Sequence, residues 1–272
     1  MVDRPWTAET RGMGFGESLK ERRTQRRISQ LELAHRAGTS QRHVSFMESG
    51  RSAPGRAMVL RLADSLGLSL RESNEFLLSA GYAAAFPESG VDGAALAPVR
   101  RALDLILEGH LPWPALVISG SGELVASNAA FGRLVAGVDP ELCAVGANVY
   151  RLALHPDGLA PRIVNLAEWS RHILARLRQA GGAGPVGLYA ELRSLVPESA
   201  DGAQSLGFAV PLVLRSPGGL LRLFTTVTTF ATATDVTLAE LKLEAFLPAD
   251  DATADLLAGD WQQVRVRAGR RP

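Results

Sequence analysis

Residues 29–51 constrain the chain most, because they indicate two short helices and the turn that joins them. Ser29 can cap a first helix with its side chain, and Glu32, three residues later, completes the pattern of a capping box. Gly38 can end that helix, because glycine readily adopts the positive φ found after a helix C-terminus. Ser40 can then cap a second helix. The spacing therefore predicts two short helices in a helix-turn-helix geometry.

Small and apolar residues in the same segment indicate how the two helices pack. Ala34 lies where the second helix must cross closely, and Val44 and Met47 are spaced to point inward from that helix. The side chains left at the surface of its first turns are those of Gln41, Arg42, His43 and Ser45. Glutamine suits a bidentate contact with adenine, and arginine suits guanine or phosphate. The alternative is that these are ordinary solvated helix residues.

The segment resembles the XRE/Cro-type helix-turn-helix of phage repressors and many bacterial regulators. The resemblance rests on the Ser-Gln opening of the first helix, on Ala34, Gly38 and Val44, and on the Glu-Ser-Gly-Arg run that follows. It extends over residues 15–82 and implies an all-α helix-turn-helix domain of about five helices.

This resemblance also implies which side chains contact DNA. Gln30 and Gln41 would act together on phosphate and base, while Arg51, and also Arg22 to Arg27, would position the DNA backbone. We therefore expect a double-stranded DNA operator as partner, bound by a homodimer on half-sites about one helical turn apart. The expected DNA-binding residues are Gln30, Ser40, Gln41, Arg42, His43, Ser45 and Arg51.

The charge distribution agrees with a polyanionic partner for this part of the chain alone. Residues 17–61 contain ten basic and four acidic side chains, a net charge of +6, whereas the whole chain carries only +1. The rest of the chain therefore sums to −5 (+1 − 6), and a basic block on an otherwise mildly acidic chain favours nucleic-acid binding by the block. A solvated helix face is the alternative.

The chain shows none of the signals of a secreted or membrane protein. Its first residues lack the apolar core of a secretory signal, and no apolar stretch approaches the length of about 18 residues that a membrane span needs. The one cysteine, Cys143, cannot form an internal disulfide or a cysteine-rich zinc site, which fits a reducing compartment. We expect a cytoplasmic protein with no membrane partner.

Composition along the chain divides it into two domains. Residues 1–13 are expected to be a flexible arm, and residues 14–85 the helix-turn-helix domain. Residues 86–97, rich in Pro, Gly and small side chains, are predicted to be a linker. The second domain is expected over residues 98–260, followed by a tail at 261–272.

The second domain mixes helical and strand-like patterns. Helices are predicted at residues 98–108, 129–136 (capped by Asn128), 161–179, 189–195 and 251–258. Strands are predicted at residues 115–119, 123–127, 207–215, 220–231 and 235–246. The first two strands flank a Gly-Ser-Gly turn and indicate a hairpin. The pattern is typical of an α+β domain with an antiparallel sheet and helices to one side.

No set of residues in this domain indicates catalysis or metal binding. The turn at residues 120–122 lacks the spacing of a nucleophile elbow, and the glycine-rich residues 181–187 lack the Lys-Ser/Thr of a phosphate loop. His110, His155 and His172 are scattered without ligand spacing. We expect no enzyme, no metal site and no catalytic residues. Cys143 is either a packing residue or a redox sensor.

A second resemblance covers residues 98–258. The Leu-Pro-Trp-Pro-Ala-Leu-Val run from Leu111, the hairpin, and the Ala-Ser-Asn-Ala-Ala-Phe run ending at Phe131 resemble the start of a PAS-like domain. Together with the Asn-Val-Tyr-Arg run from Asn148 and the strands from Thr225, they are similar to the ligand-binding domain of MmyB-like regulators. The resemblance implies a regulator whose C-terminal domain senses a small apolar, fatty-acid-like ligand and holds no other cofactor.

The residues expected to line the ligand cavity are mostly aromatic. They are Trp113, Phe131, Leu134, Tyr150, Trp169, Ile173, Phe208, Phe224 and Phe230. Arg151 or His155 could hold a carboxylate at the mouth. Three alternatives stay open: a ligand-free dimerisation module, a heme or flavin PAS sensor with one of the histidines as ligand, and an enzyme domain attached to a DNA-binding module.

Overall fold

A computed structural model of the chain shows two compact units. The first runs to Glu88 and also takes in residues 233–236, and the second begins at Ser89. The first unit is helical, and the second combines a five-stranded sheet with helices, so the predicted fold class is confirmed. The structure describes residues 14–91, 93–179, 187–196 and 210–268.

Five helices build the first unit, and serine side chains begin three of them. Ser29 accepts a hydrogen bond from the Glu32 N–H, and Ser40 accepts one from the His43 N–H. The reciprocal capping box predicted for Ser29 and Glu32 is instead formed by Ser69 and Glu72, while the Glu32 carboxylate pairs with Arg36. The helices are α1 (Phe15–Gln25), α2 (Gln30–Arg36), α3 (Gln41–Glu48), α4 (Arg56–Ser65) and α5 (Leu70–Ser79).

The core of the first unit forms where α1 and α2 cross α3. Ala34, Val44 and Met47 are buried, as their spacing predicted, and Gly38 has a φ of +62°. Gly16 of α1 lies so close to α3 that a Cβ there would come within 2.5 Å of the Met47 carbonyl oxygen. The backbone contact between α1 and α3 therefore requires glycine at this position.

The predicted linker at residues 86–97 is partly structured. The Asn74 side chain of α5 accepts hydrogen bonds from the Ala85 and Phe86 N–H groups and donates one to the Phe86 carbonyl. Ala94–Leu96 forms a 3₁₀ turn. The N-terminal end of the predicted linker is thus held by side-chain hydrogen bonds, and its C-terminal end contains a helical turn, although its composition is typical of a flexible connection.

The second unit is built on one antiparallel sheet, with the strand order β2-β1-β5-β4-β3. The predicted hairpin is present, with Leu116 opposite Ser127. The strands are β1 (Ala115–Ile118), β2 (Leu124–Ser127), β3 (Leu212–Ser216), β4 (Gly219–Thr229) and β5 (Lys242–Pro248).

Helices connect and flank these strands. Three short ones, at Pro140–Cys143, Val149–Leu154 and Val236–Glu240, were not predicted as helices, and the last helix continues through Ala268, past the predicted end at 258. They are α6 (Ala97–Gly109), α7 (Ala129–Leu134), α8 (Pro140–Cys143), α9 (Val149–Leu154), α10 (Leu166–Gln179), α11 (Leu188–Leu195), α12 (Val236–Glu240) and α13 (Asp251–Ala268).

The helix predicted at 161–179 begins five residues later than expected, because its first residues pair with the sheet. The Val164 N–H donates to the Val213 carbonyl at 2.8 Å, and the Asn165 side chain binds the Pro211 carbonyl and the Val213 N–H. Backbone pairing with β3 therefore outweighs the helical periodicity of the segment.

The strand predicted at 235–246 is helical in its first half. The Leu241 N–H donates to the Thr237 carbonyl, which closes the turn of α12, and the chain becomes extended only from Lys242. Ala239 and Glu240 are good helix formers, so local propensity favours the helix until the pairing with β1 and β4 begins.

Apolar side chains cover the two faces of the sheet differently. Leu116, Leu223 and Phe246 belong to the larger core with the helices α7, α9, α10 and α11. Val117 and Ala245 face the other way and pack with leucines of α6. Alternation along each strand thus separates two layers, and the candidate cavity lies in the larger core.

Candidate nucleic-acid interface and ligand cavity

The helix α3 presents polar side chains at its first turns. Gln41 and Arg42 are exposed, and Ser45 is half-buried one turn later. Ser40 is engaged as the cap, and His43 Nδ1 lies 2.9 Å from Thr39 Oγ1. The two side chains best placed to reach base edges are therefore those of Gln41 and Arg42.

Phe46 lies beside them and was not among the predicted DNA-binding residues. The Arg42 guanidinium carbon is 5.1 Å from the centre of the Phe46 ring, and that of Arg51 is 5.6 Å from it. Both distances are within cation–π range. The half-buried ring thus lies between two exposed arginines, and we call Gln41, Arg42, Phe46 and Arg51 the recognition surface.

A buried carboxylate at the C-terminal end of α3 holds Gln30 in place. The Glu48 side chain, 5% exposed, accepts two hydrogen bonds from Arg23 and a 2.7 Å hydrogen bond from Gln30 Nε2. Arg23 also donates to the Ile28 carbonyl. This network joins α1, α2 and α3, so the amide of Gln30 is oriented by the protein itself.

Ion pairs within the protein neutralise much of the basic block. Arg22 and Arg26 pair with Glu72 of α5, and Arg23 pairs with Glu48. These ion pairs link α1 to α3 and α5, and the expected contacts of Arg22 to Arg27 with the DNA backbone stay a prediction. Among the described residues, the exposed arginines of this unit without an ion pair include Arg27, Arg42, Arg51 and Arg56.

The second unit encloses a small cavity between the sheet and the helices α7, α9 and α10. Its volume is about 50 Å³. Of the nine predicted lining residues, five line it: Phe131, Leu134, Tyr150, Trp169 and Ile173. The remaining lining residues are Leu116, Val149, Leu152, Ala153, Leu159, Ile163, Arg176, Leu212, Glu244 and Phe246.

Three of the other four predicted lining residues are not part of the cavity wall. Phe224 is 37% exposed. Side chains alternate between the two faces of a strand, and Leu221 and Leu223 point inward from β4, so the next residue, Phe224, points outward. Phe230 packs against the α6 side of the sheet. Trp113 is half-buried but is not part of the cavity wall, and Phe208 lies outside the described residues.

One end of the cavity is charged, although every residue predicted to line it is aromatic or aliphatic. Arg176 of α10 forms an ion pair with Glu244 of β5, whose side chain is only 6% exposed. Tyr150 lies beside this pair, and a Cβ at Gly122 would collide with its ring. The sequence feature that could have indicated this charge is Glu244, the one carboxylate within the otherwise apolar run 243–247.

The charged pair changes the acidity of its neighbours. Burial raises the pKa of the Tyr150 hydroxyl, which therefore remains protonated at neutral pH. Burial alone would lower the pKa of Arg176, but the charge and hydrogen bond of Glu244 outweigh it and raise the pKa. Burial, assisted by the charge of Arg176, lowers the pKa of His172. Arg176 therefore stays protonated, and His172 is neutral at neutral pH.

The other polar candidates of the second unit are engaged away from the cavity. Arg151 donates two hydrogen bonds, of 2.7 and 2.6 Å, to the Glu191 carboxylate, and His155 Nδ1 accepts one from the Asp157 N–H. Cys143 is half-buried, and burial raises the pKa of its thiol, which disfavours the reactive thiolate. In the part of the chain that the structure describes, no three His, Cys, Asp or Glu side chains are grouped to hold a metal ion.

Comparisons with known proteins match the two units to two families. A family model for the MmyB-like transcription regulator ligand binding domain matches residues 99–258, and a helix-turn-helix model matches residues 19–73. Among solved structures, the restriction-modification controller protein C.AhdI from Aeromonas hydrophila is 34% identical over 22% of this chain and 89% of its own, with a TM-score of 0.21. No curated protein matches the chain. No helix of the described residues has the length and apolarity to cross a bilayer.

Proposed function

The chain belongs to the family of MmyB-like transcription regulators, and from this premise we propose that it binds a specific double-stranded DNA operator under the control of a small apolar ligand. The observation that carries the DNA-binding part is the recognition surface. It combines an exposed glutamine and two arginines that have no ion pair among the described residues. Such side chains suit base edges and phosphates in the major groove. A DNA operator as partner supports a cytoplasmic location, which we propose as well.

The DNA-binding part is tested by selecting bound duplexes from a random library with the full chain. We expect enrichment of a two-fold symmetric sequence, with half-sites about one helical turn apart if the protein binds as a homodimer. Affinity for the enriched site should fall steeply as salt is raised, because arginine–phosphate contacts release counterions. The matched control is the double variant Gln41→Ala, Arg42→Ala, which should enrich no such sequence. Enrichment of the same sequence by wild type and variant would contradict the proposal.

The ligand-binding part rests on the cavity of the second unit. Its wall is mostly apolar, with a few polar groups grouped at one end, which is the usual composition of a small-molecule site. The sheet order and the helices between β2 and β3 support a PAS-like description of this unit. We propose a ligand with an aliphatic chain like that of a fatty acid. Neither matching family is an enzyme family, and we propose no catalytic role.

The cavity volume bears on how such a ligand would act. About 50 Å³ is well below the roughly 150 Å³ of a cavity that accepts benzene, so an aliphatic chain can enter only if the wall moves. A ligand that binds the open arrangement better than the closed one shifts the population toward the open arrangement. This differential affinity would provide the signal.

The same small volume favours a second candidate, a dimerisation module with no ligand. Native mass spectrometry of the purified full chain, compared with an organic extract, separates the two. A stoichiometric aliphatic molecule, bound as purified or after incubation with a lipid mixture, supports the sensor. A dimer that stays bare under both conditions, with unchanged DNA affinity, supports the ligand-free module.

A further inference from the structure

The cavity wall already carries a balanced pair of charges. Among the lining residues that the structure describes, Arg176 and Glu244 are the charged ones, and they are paired with each other. An ionised carboxylate placed in this cavity would add a negative charge without a free cation to balance it. Burying an unbalanced charge is far more costly than burying a neutral polar group that is hydrogen-bonded.

Neighbouring arginines do not supply the missing cation. Arg151 is paired with Glu191 through Nε and Nη2 and is not part of the cavity wall. Arg162 lines a separate small cavity, where it donates to the carbonyls of Leu134, Ala136 and Arg215. A carboxylate ligand in the cavity between the sheet and α10 would therefore have to share the positive charge of Arg176 with Glu244.

The polar end nevertheless has unused hydrogen-bonding capacity of both kinds. Arg176 binds Glu244 through Nη2, and Glu244 accepts through Oε1, so further guanidinium N–H groups and the second carboxylate oxygen remain. The Tyr150 hydroxyl, on a residue 8% exposed, has no hydrogen-bond partner among the described residues. A ligand group can thus both donate to Glu244 and accept from Arg176 or Tyr150.

We propose that the cavity selects an aliphatic ligand with an uncharged head group that both donates and accepts hydrogen bonds, such as a primary amide or an alcohol, over the corresponding carboxylate. This inference rests on the proposed ligand-sensing function and specifies its ligand class. The amide is the best match, because its N–H and C=O complement Glu244 and Arg176 together.

The test is calorimetric titration of the full chain with octanamide, octan-1-ol and octanoate at a pH where octanoate is ionised. We expect octanamide to bind on the order of tenfold or more tightly than octanoate, with octan-1-ol between them. The variant Glu244→Gln leaves Arg176 unbalanced, so octanoate should become the preferred ligand. The variant Arg176→Gln leaves Glu244 unbalanced and should prefer octylammonium, which provides a second test if the first variant does not fold.

Glu191→Gln is the matched control, because it removes one carboxylate from an arginine pair outside the cavity. It should keep the order of preference of the wild type. Octanoate bound by the wild type as tightly as octanamide, or an order unchanged in both cavity variants, would overturn the inference. Octanoate binding that is lost in Arg162→Gln and kept in both cavity variants would also overturn the inference, because that result would place the head group in the cavity that Arg162 lines.

Failure of the inference is distinguishable from failure of the proposed function. A wild-type protein that prefers octanoate still binds an aliphatic ligand, so the sensor function would stand and the head-group assignment would fall. A wild-type protein that binds none of the three, by calorimetry and by native mass spectrometry, would remove the sensor function and the inference with it.

Discussion

The two units of the protein use arginine in opposite ways. In the helical unit, Arg42 and Arg51 lie at the surface against Phe46 and have no ion pair among the described residues. In the sheet unit, Arg176 lies in a cavity against a nearly fully buried Glu244. An exposed unpaired cation costs the fold little and is available to a partner, whereas a buried pair is coupled to the packing around it. Substitutions in the two units should therefore separate binding from stability.

The largest effect expected is the loss of one partner from the buried pair. Glu244→Ala leaves Arg176 unpaired against an apolar wall, so the second unit should lose about 3 kcal/mol or more of unfolding free energy. Denaturant unfolding of the full chain, followed through the transition of that unit, measures the loss. Glu191→Ala, in the more exposed pair with Arg151, should cost at most about 1 kcal/mol. Equal losses in both variants would remove the distinction between the two pairs.

In the recognition surface, the corresponding substitutions should affect binding and leave folding intact. Gln41→Ala and Arg42→Ala should each weaken operator binding by roughly 1–3 kcal/mol and relax the preference at one base position. Fluorescence anisotropy on the selected operator and on single-base variants of it measures both effects. The thermal midpoint should stay within the error of the wild type, because both side chains are exposed. Unchanged affinity in both variants would rule out α3 as the reading helix.

Local signals explain which parts of the structure were predictable. The caps Ser29, Ser40 and Asn128, and the positive φ of Gly38, depend on residues within four positions of one another, and all are present. Asn128 also shows what such signals omit. Its side chain additionally accepts from the Ala115 N–H and donates to the Leu107 and Trp113 carbonyls, which joins α6, β1 and α7.

The cavity was only partly predictable, because its wall is assembled from distant segments. Arg176 and Glu244 are 68 residues apart, and each alone is typical of a solvated surface position. The error at Phe224 has a related cause. The alternation of side chains along β4 predicts two faces of the strand but does not indicate which face packs against the helices. Leu221 and Leu223 occupy that face, and Phe224 lies on the other.

A smaller effect is expected from Phe46, whose ring orients Arg42 and Arg51. Phe46→Leu keeps an apolar side chain but removes both cation–π contacts, so operator binding should weaken by about 0.5–1 kcal/mol. The same measurement in the Arg42→Ala background should show a smaller loss, because one of the two contacts is then already absent. A full, additive loss in that background would show that Phe46 acts independently of Arg42.

The smallest effect expected concerns His172 and the pH dependence of the sheet unit. Its pKa in the folded unit lies below the ordinary value, chiefly because burial disfavours the cation and also because Arg176 repels it, while Glu244 partly opposes the shift. Above the ordinary histidine pKa of about 6.5, His172 is neutral in both the folded and the unfolded chain. As the pH falls through that value, the unfolded chain takes up a proton first, so the folded unit loses stability.

The variant His172→Asn should therefore lose less thermal stability than the wild type between about pH 7.5 and pH 5.5. Differential scanning calorimetry of both proteins at each pH measures the difference, and the other titrating groups cancel in the comparison. His172 is only half-buried, so the difference should be well below that of Glu244→Ala. A larger acid loss in the variant would mean that protonated His172 stabilises the folded unit, and that the charge of Glu244 at this position outweighs both burial and Arg176.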